Sequence, residues 1–219
     1  MRKLALFALL WFLFVIWGLE LGIAWAFMKA TGSWPPASPS SRLTLLWTIT
    51  SLRLAAVFLL LRWLGIRFRE LFTGRFGTKE LLISVLIVLA FLALEVAYSR
   101  TYTPQSLGEF RHFLKLSGGN YTIALLLFAS QYAYYFAEIS AVNLLYLGGL
   151  RLSGGKAAVA LPTFLWGFAH SINVLILHSV QGLLLGLYAG LFALITYYSA
   201  LKRDSLKLPV FTWFLNLVL

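Results

Sequence analysis

Apolar residues in this chain come in long unbroken blocks, at about 4–28, 43–64, 80–99, 121–149, 157–178, 181–200 and 208–219. A helix crossing a bilayer needs about 20 apolar residues. The pattern therefore predicts an all-α, polytopic membrane helix bundle of about six to seven transmembrane helices. Short polar segments separate the blocks. They are a Pro/Ser stretch over 33–41, a basic loop over 62–79, a polar stretch over 100–120, a glycine turn at Ser153-Gly154-Gly155 and a charged link at Lys202-Arg203-Asp204. Within 105–117, apolar residues at helical spacing beside Arg111, His112 and Lys115 predict a helix lying in the interface. The last block rises only about 18 Å, too short for a full span, so it is expected to end in a protein-lined cavity or a re-entrant element. No repeat at a fixed period is visible.

Composition agrees with the pattern. Hydrophobic residues make up 61% of the 219 positions and charged residues 11%, and the mean hydropathy is +0.86. A soluble chain carries about 25% charged residues, and nothing of that kind fits between the blocks. A separate soluble catalytic, nucleotide-binding or receptor domain is thus excluded, and any chemistry belongs to side chains in or at the edge of the membrane. The chain reads as one integral membrane domain, with N-terminal transmembrane helices and the interfacial segment over 1–120 and a core over 121–219. The start, MRK before an apolar run, resembles a signal peptide, and Ala24-Trp25-Ala26 mimics a cleavage site. The apolar run is longer than a signal peptide's core, so a retained first helix is expected.

The formal net charge of +11 adds an orientation. The basic residues lie in short loops without interleaved aromatics on a soluble surface, which points to membrane lipids as partners and not to nucleic acid. With the N-terminus cytoplasmic, twelve Lys and Arg fall on the inner side and five on the outer, the asymmetry of the positive-inside rule. The absence of cysteine removes disulfides, thiolate metal sites and cysteine catalysis.

Ionisable groups inside spans are costly and mark function by default. Here they are Glu20, Arg53, Glu95, Glu138 and His170, with His178 near a helix end. Arg53 with one of Glu20 or Glu95 suits an interhelical ion pair. Glu138 and His170 differ because each lies sixteen residues from Gly154. An antiparallel hairpin on that turn sets them at the same depth, as an acid–base couple or as a buried pair that holds helices together. Around them, Trp166 precedes His170 by one turn and Asn143 follows Glu138. Gly182, Gly186 and Gly190 form a stripe that admits close helix approach. Thr212 and Asn216 share one face of the last block.

Over about residues 131–216 this order resembles the CPBP family of CaaX prenyl-protein endopeptidases and bacteriocin-processing or self-immunity proteins. The family's EExxxR motif reads EISAVN here, with Glu138 retained, Ile139 for the second glutamate and Asn143 for the arginine. Its FxxxH reads WGFAH, with Trp166 and His170. Its HxxxN/D reads TWFLN, with Thr212 and Asn216. The resemblance implies a CPBP-like core and a glutamate-type intramembrane endopeptidase that hydrolyses a membrane-associated or prenylated peptide. Glu138 would be the base, His170 would orient the water or share its proton, and Asn216 would stabilise the oxyanion, supported by Asn143, Trp166, Thr212 and His178. No cofactor is implied. A catalytic zinc wants three protein ligands, and only Glu138 and His170 stand at this depth, so no metal site is expected. Neither HExxH nor GxSxG is present. Two other readings stay open: a relative that binds a partner without cleaving it, acting as a membrane scaffold, and a small transporter or channel subunit that uses the same polar pair.

Overall fold

The computed structural model describes residues 2–172, 174 and 179–219. Among these residues the chain is a helix bundle, and the only β contact is an isolated bridge between Gly74 and Ser205. Four segments are long and apolar enough to cross a bilayer: Arg2–Thr31, Pro39–Leu64, Thr78–Ser99 and Gln181–Arg203. Large apolar side chains face outward along them, Leu59 and Leu94 among the most exposed, as a lipid-facing surface requires.

The first block is two helices, α1 (Arg2–Phe14) and α2 (Trp17–Thr31). They break at Ile16, whose ψ of −87° is not helical. Gly18 stands in the elbow, where a Cβ would lie 2.9 Å from the Leu13 carbonyl carbon. The break frees the Val15 carbonyl, which accepts from Arg53 Nε at 3.0 Å. A backbone group released inside a bilayer must find such a partner. Helix α3 (Pro39–Leu64) starts on Ser38, whose hydroxyl accepts from the Ser41 amide at 3.2 Å, and ends on Gly65 at φ 64°. A short 3₁₀ turn (Phe68–Phe72) leads to α4 (Thr78–Ser99).

Helix α5 (Gln105–Leu116) is the amphipathic segment over 105–117. It buries Phe113 while Arg111, His112 and Lys115 stay exposed. Helix α6 (Tyr121–Ser153) is the axis of the bundle. It is absent from the four apolar spans because it carries Gln131, Glu138, Asn143 and Arg151; neighbouring helices cover it, so it needs less hydropathy than a lipid-facing span. Helix α3 runs along it, and Trp11 Nε1 of α1 donates to the Ala141 carbonyl at 2.8 Å. Such interhelical hydrogen bonds matter because lipid tails compete for apolar contact.

The expected helix over 157–178 is broken. After Gly154 (φ 89°), α7 covers only Gly155–Leu161. Pro162 supplies no N–H, and the chain widens into a π turn (Pro162–Gly167), then tightens into a 3₁₀ turn (Phe168–Ile172). Helix α8 (Gln181–Arg203) packs against both turns, and Arg203 clamps Glu80 of α4 through Nε at 2.8 Å. The last helix, α9 (Lys207–Val218), has twelve residues. Its terminal carbonyls are taken by Ser106 Oγ at 2.6 Å and Tyr132 Oη at 3.1 Å.

Candidate functional site

The turn at Gly154 folds α7 and the π turn back along α6, and Glu138 and His170 line one cavity of about 270 Å³. A water occupies about 30 Å³ of liquid, so this space holds several. Trp166 joins the pair. Its indole Nε1 donates to Glu138 Oε1 at 2.8 Å, and its carbonyl faces His170 Nδ1 at 2.6 Å. A carbonyl only accepts, so Nδ1 carries the proton in this contact. The indole packs edge-on against the His170 ring, with centroids 4.8 Å apart, and against Trp213 of α9 at 4.4 Å. Glu138 is 9% exposed, and it lines the cavity within reach of a water held there.

The rest of the wall comes from one face of α6 and from α2. Gln131, Tyr134 and Tyr135 precede Glu138 by seven, four and three residues, which is helical spacing, and all three line the cavity. Opposite them stand Trp17 and Glu20. The Glu20 carboxylate accepts from Tyr134 Oη at 2.6 Å and pairs with Arg53. The Arg53 guanidinium is fully buried and lies 4.5 Å over the Tyr134 ring. This is the ion pair anticipated for Arg53, made with Glu20 and not with Glu95. It brings a second carboxylate to the Glu138 cavity from the N-terminal half of the chain. Tyr135 Oη hydrogen-bonds Glu109 of α5, which also accepts from Gln105 Nε2 at 2.8 Å, so the amphipathic helix is tied to the cavity wall.

A second cavity of about 240 Å³ adjoins the first and shares Trp17, Glu20, Gln131 and Tyr134 with it. Asn216 lies elsewhere. It lines a small pocket of about 40 Å³ with Glu95 and Gln105, whereas Trp213, one turn earlier on α9, touches Trp166. Glu138 and His170 therefore share a cavity that Asn216 does not line. Asn143 is fully buried: it donates to the Leu71 carbonyl at 2.7 Å and accepts from Tyr197 Oη at 2.8 Å. Thr212 is also fully buried, bonded to Ser84 at 2.9 Å and to the Leu208 carbonyl at 2.8 Å. Both join helices and line neither large cavity. His178 lies outside the described residues. Among the described residues, no three of His, Cys, Asp and Glu gather as a metal site would require.

Gln131, Tyr134 and Tyr135 went unread in the sequence, although their spacing from Glu138 was a usable signal. Comparison with family models, curated proteins and solved structures finds no match for this chain.

Proposed function

We propose that this chain is an intramembrane hydrolase of the glutamate type that cleaves a peptide bond in a membrane-associated substrate. One observation carries the reading: Glu138 and His170 face a single cavity of about 270 Å³ and are held there by the two ends of Trp166. In the reaction, Glu138 takes a proton from a cavity water while the hydroxide oxygen bonds to the peptide carbonyl carbon. The C–N bond then breaks, the acquired proton passes to the departing nitrogen, and a carboxylic acid and an amine result. His170, on the wall of the same cavity, orients the water. Since Asn216 lines another pocket, the amide of Gln131 is the donor assigned to the oxyanion. The orientation proposed with this function sets the N-terminus in the cytoplasm, on the count of loop charges.

The test uses the full chain in liposomes with internally quenched apolar peptides, read by fluorescence and mass spectrometry. Glu138→Gln is expected to lower turnover about 10²–10⁴-fold, the usual share of a positioned base, while Asn216→Ala changes it little. Cleavage that survives Glu138→Gln removes Glu138 from the base role. Peptide binding without any cleavage selects the second reading, a membrane binding protein on the same cavity, which the separate location of Asn216 favours.

A further inference from the structure

The second cavity has a cation at its wall that the proposed hydrolysis does not use. Arg42 stands in the first turn of α3, the end of a span, where head groups lie. Among the described residues the ion pairs are Arg53–Glu20 and Arg203–Glu80, and neither involves Arg42. Its guanidinium donates from Nη2 to the neutral Gln131 Oε1 at 3.0 Å, and among the described residues its Nε is shut from solvent with no partner. A guanidinium has five N–H donors in a fork suited to carboxylate or phosphate oxygens, so most of this one is unspent.

Beside that charge the cavity is apolar. Leu45, Leu46 and Ile49 of α3 face Trp17 and Leu21 of α2, and Trp34, half exposed, stands at the edge. The acid in the wall, Glu20, is already engaged by Arg53 and Tyr134 and leaves the positive charge of Arg42 uncompensated. Arg42 is half-buried, a partly desolvated cation with no acid partner is costly, and an anion arriving with its own apolar tail meets both needs at once.

We infer that this cavity is a lipid subsite that binds an amphiphile with an anionic oxygen head on Arg42 and a single aliphatic chain against Leu45, Leu46 and Ile49. The inference is independent of the hydrolytic reading. It concerns a different charge and a different apolar wall, although the shared Gln131 and Glu20 place the occupant next to the Glu138 cavity.

The test measures binding to the purified full chain in a neutral maltoside detergent, by displacement of a fluorescent fatty acid. Oleate and 1-oleoyl lysophosphatidate are the two anionic probes, and the tighter of them identifies the head group as carboxylate or phosphate. Oleyl alcohol removes the charge, and inorganic phosphate and acetate remove the tail. Arg42→Gln is expected to weaken the anionic amphiphiles about 10-fold or more, the scale of a charged hydrogen bond, without changing oleyl alcohol. Arg42→Lys retains part of the affinity. Ala24→Phe, which fills the cavity from α2 without touching Arg42, weakens all three amphiphiles. Equal binding of oleyl alcohol and oleate overturns the proposal, as does oleate binding unchanged in an Arg42→Gln protein of normal melting temperature. Inorganic phosphate binding as tightly as the amphiphiles also overturns it, since the site would then serve a free anion.

Discussion

The indole of Trp166 reaches Glu138 across the hairpin, Nε1 to Oε1 at 2.8 Å, while the carbonyl of the same residue fixes the His170 ring. One residue therefore sets both members of the polar pair, Glu138 through its side chain and His170 through its backbone. Trp166→Phe keeps a ring against His170 and Trp213 but removes the donor. A hydrogen bond to a charged group contributes about 1.5–3 kcal/mol, so turnover should fall about 10- to 100-fold at an unaltered melting temperature. Trp213→Phe is the control, because its Nε1 is buried without a partner and losing it should cost little. Equal peptide turnover in wild type and Trp166→Phe would remove Trp166 from the site.

Arg53 joins three helices. Nε holds the Val15 carbonyl at the elbow between α1 and α2, and Nη2 pairs with Glu20 beside Tyr134 of α6. Arg53→Met leaves a largely buried carboxylate and an orphaned carbonyl. Breaking one partner of a buried pair costs about 3–5 kcal/mol, so denaturant unfolding in detergent should show a loss of that size. The double variant Arg53→Met with Glu20→Leu should recover more than half of it, since no lone charge remains. A double variant as unstable as the single one would mean that the Val15 carbonyl, and not the charge, dominates.

The helical class, the helix within 105–117 and the meeting of Glu138 and His170 at one cavity were legible because each rests on spacing alone. Gly154 is sixteen residues from both, and a hairpin is insensitive to how regular its arms are. The break at Ile16 was not legible, because the residues around it are uniformly apolar and only Gly18 marks the elbow. Which blocks face lipid and which face protein was not legible for a related reason. A block of apolar residues looks the same whether lipid or protein covers it, and α6 and the arm after Gly154 are covered by protein. Asn216 and Thr212 were grouped with Glu138 by family order, but order along a chain fixes no azimuth. The three-residue step from Trp213 to Asn216 turns α9 from the Trp166 side toward Glu95 and Gln105. Glu20 could be paired with Arg53 from the sequence, but its place beside Glu138 depends on how α2 leans after the elbow.

The loop over 65–77 and the Asp204 link meet at one end of the bundle through the Gly74–Ser205 bridge, and Arg151 Nη1 donates to the Gly65 carbonyl at 3.0 Å at the same end. Asn120 precedes α6 at the other end. The chain has no cysteine, so single replacements label cleanly. With the N-terminus cytoplasmic, Asn120→Cys in intact cells should react with an impermeant maleimide and Arg69→Cys only after lysis. The reverse pattern would invert the orientation and carry Arg42 to the inner leaflet.

The stripe on α8 sets the His170 segment. Gly167 meets Gly190 backbone to backbone, and a Cβ on Gly186 would stand 2.6 Å from the Ser171 amide nitrogen and 2.8 Å from its Cα. Those atoms are backbone, so they yield only if the 3₁₀ turn Phe168–Ile172 moves with them. Gly186→Ala should displace the imidazole from the cavity, with turnover falling at least about 10-fold and stability by about 1–3 kcal/mol, the cost of forcing a methyl into packed structure. Gly22→Ala is the counterpart on α2, where a Cβ meets nothing within 4 Å. It should keep full turnover and gain up to about 1 kcal/mol from the lost backbone freedom of glycine. Thermal unfolding and peptide turnover measured on both variants separate a general glycine effect from a local one. Full turnover in Gly186→Ala would mean that the His170 segment does not depend on its contact with α8.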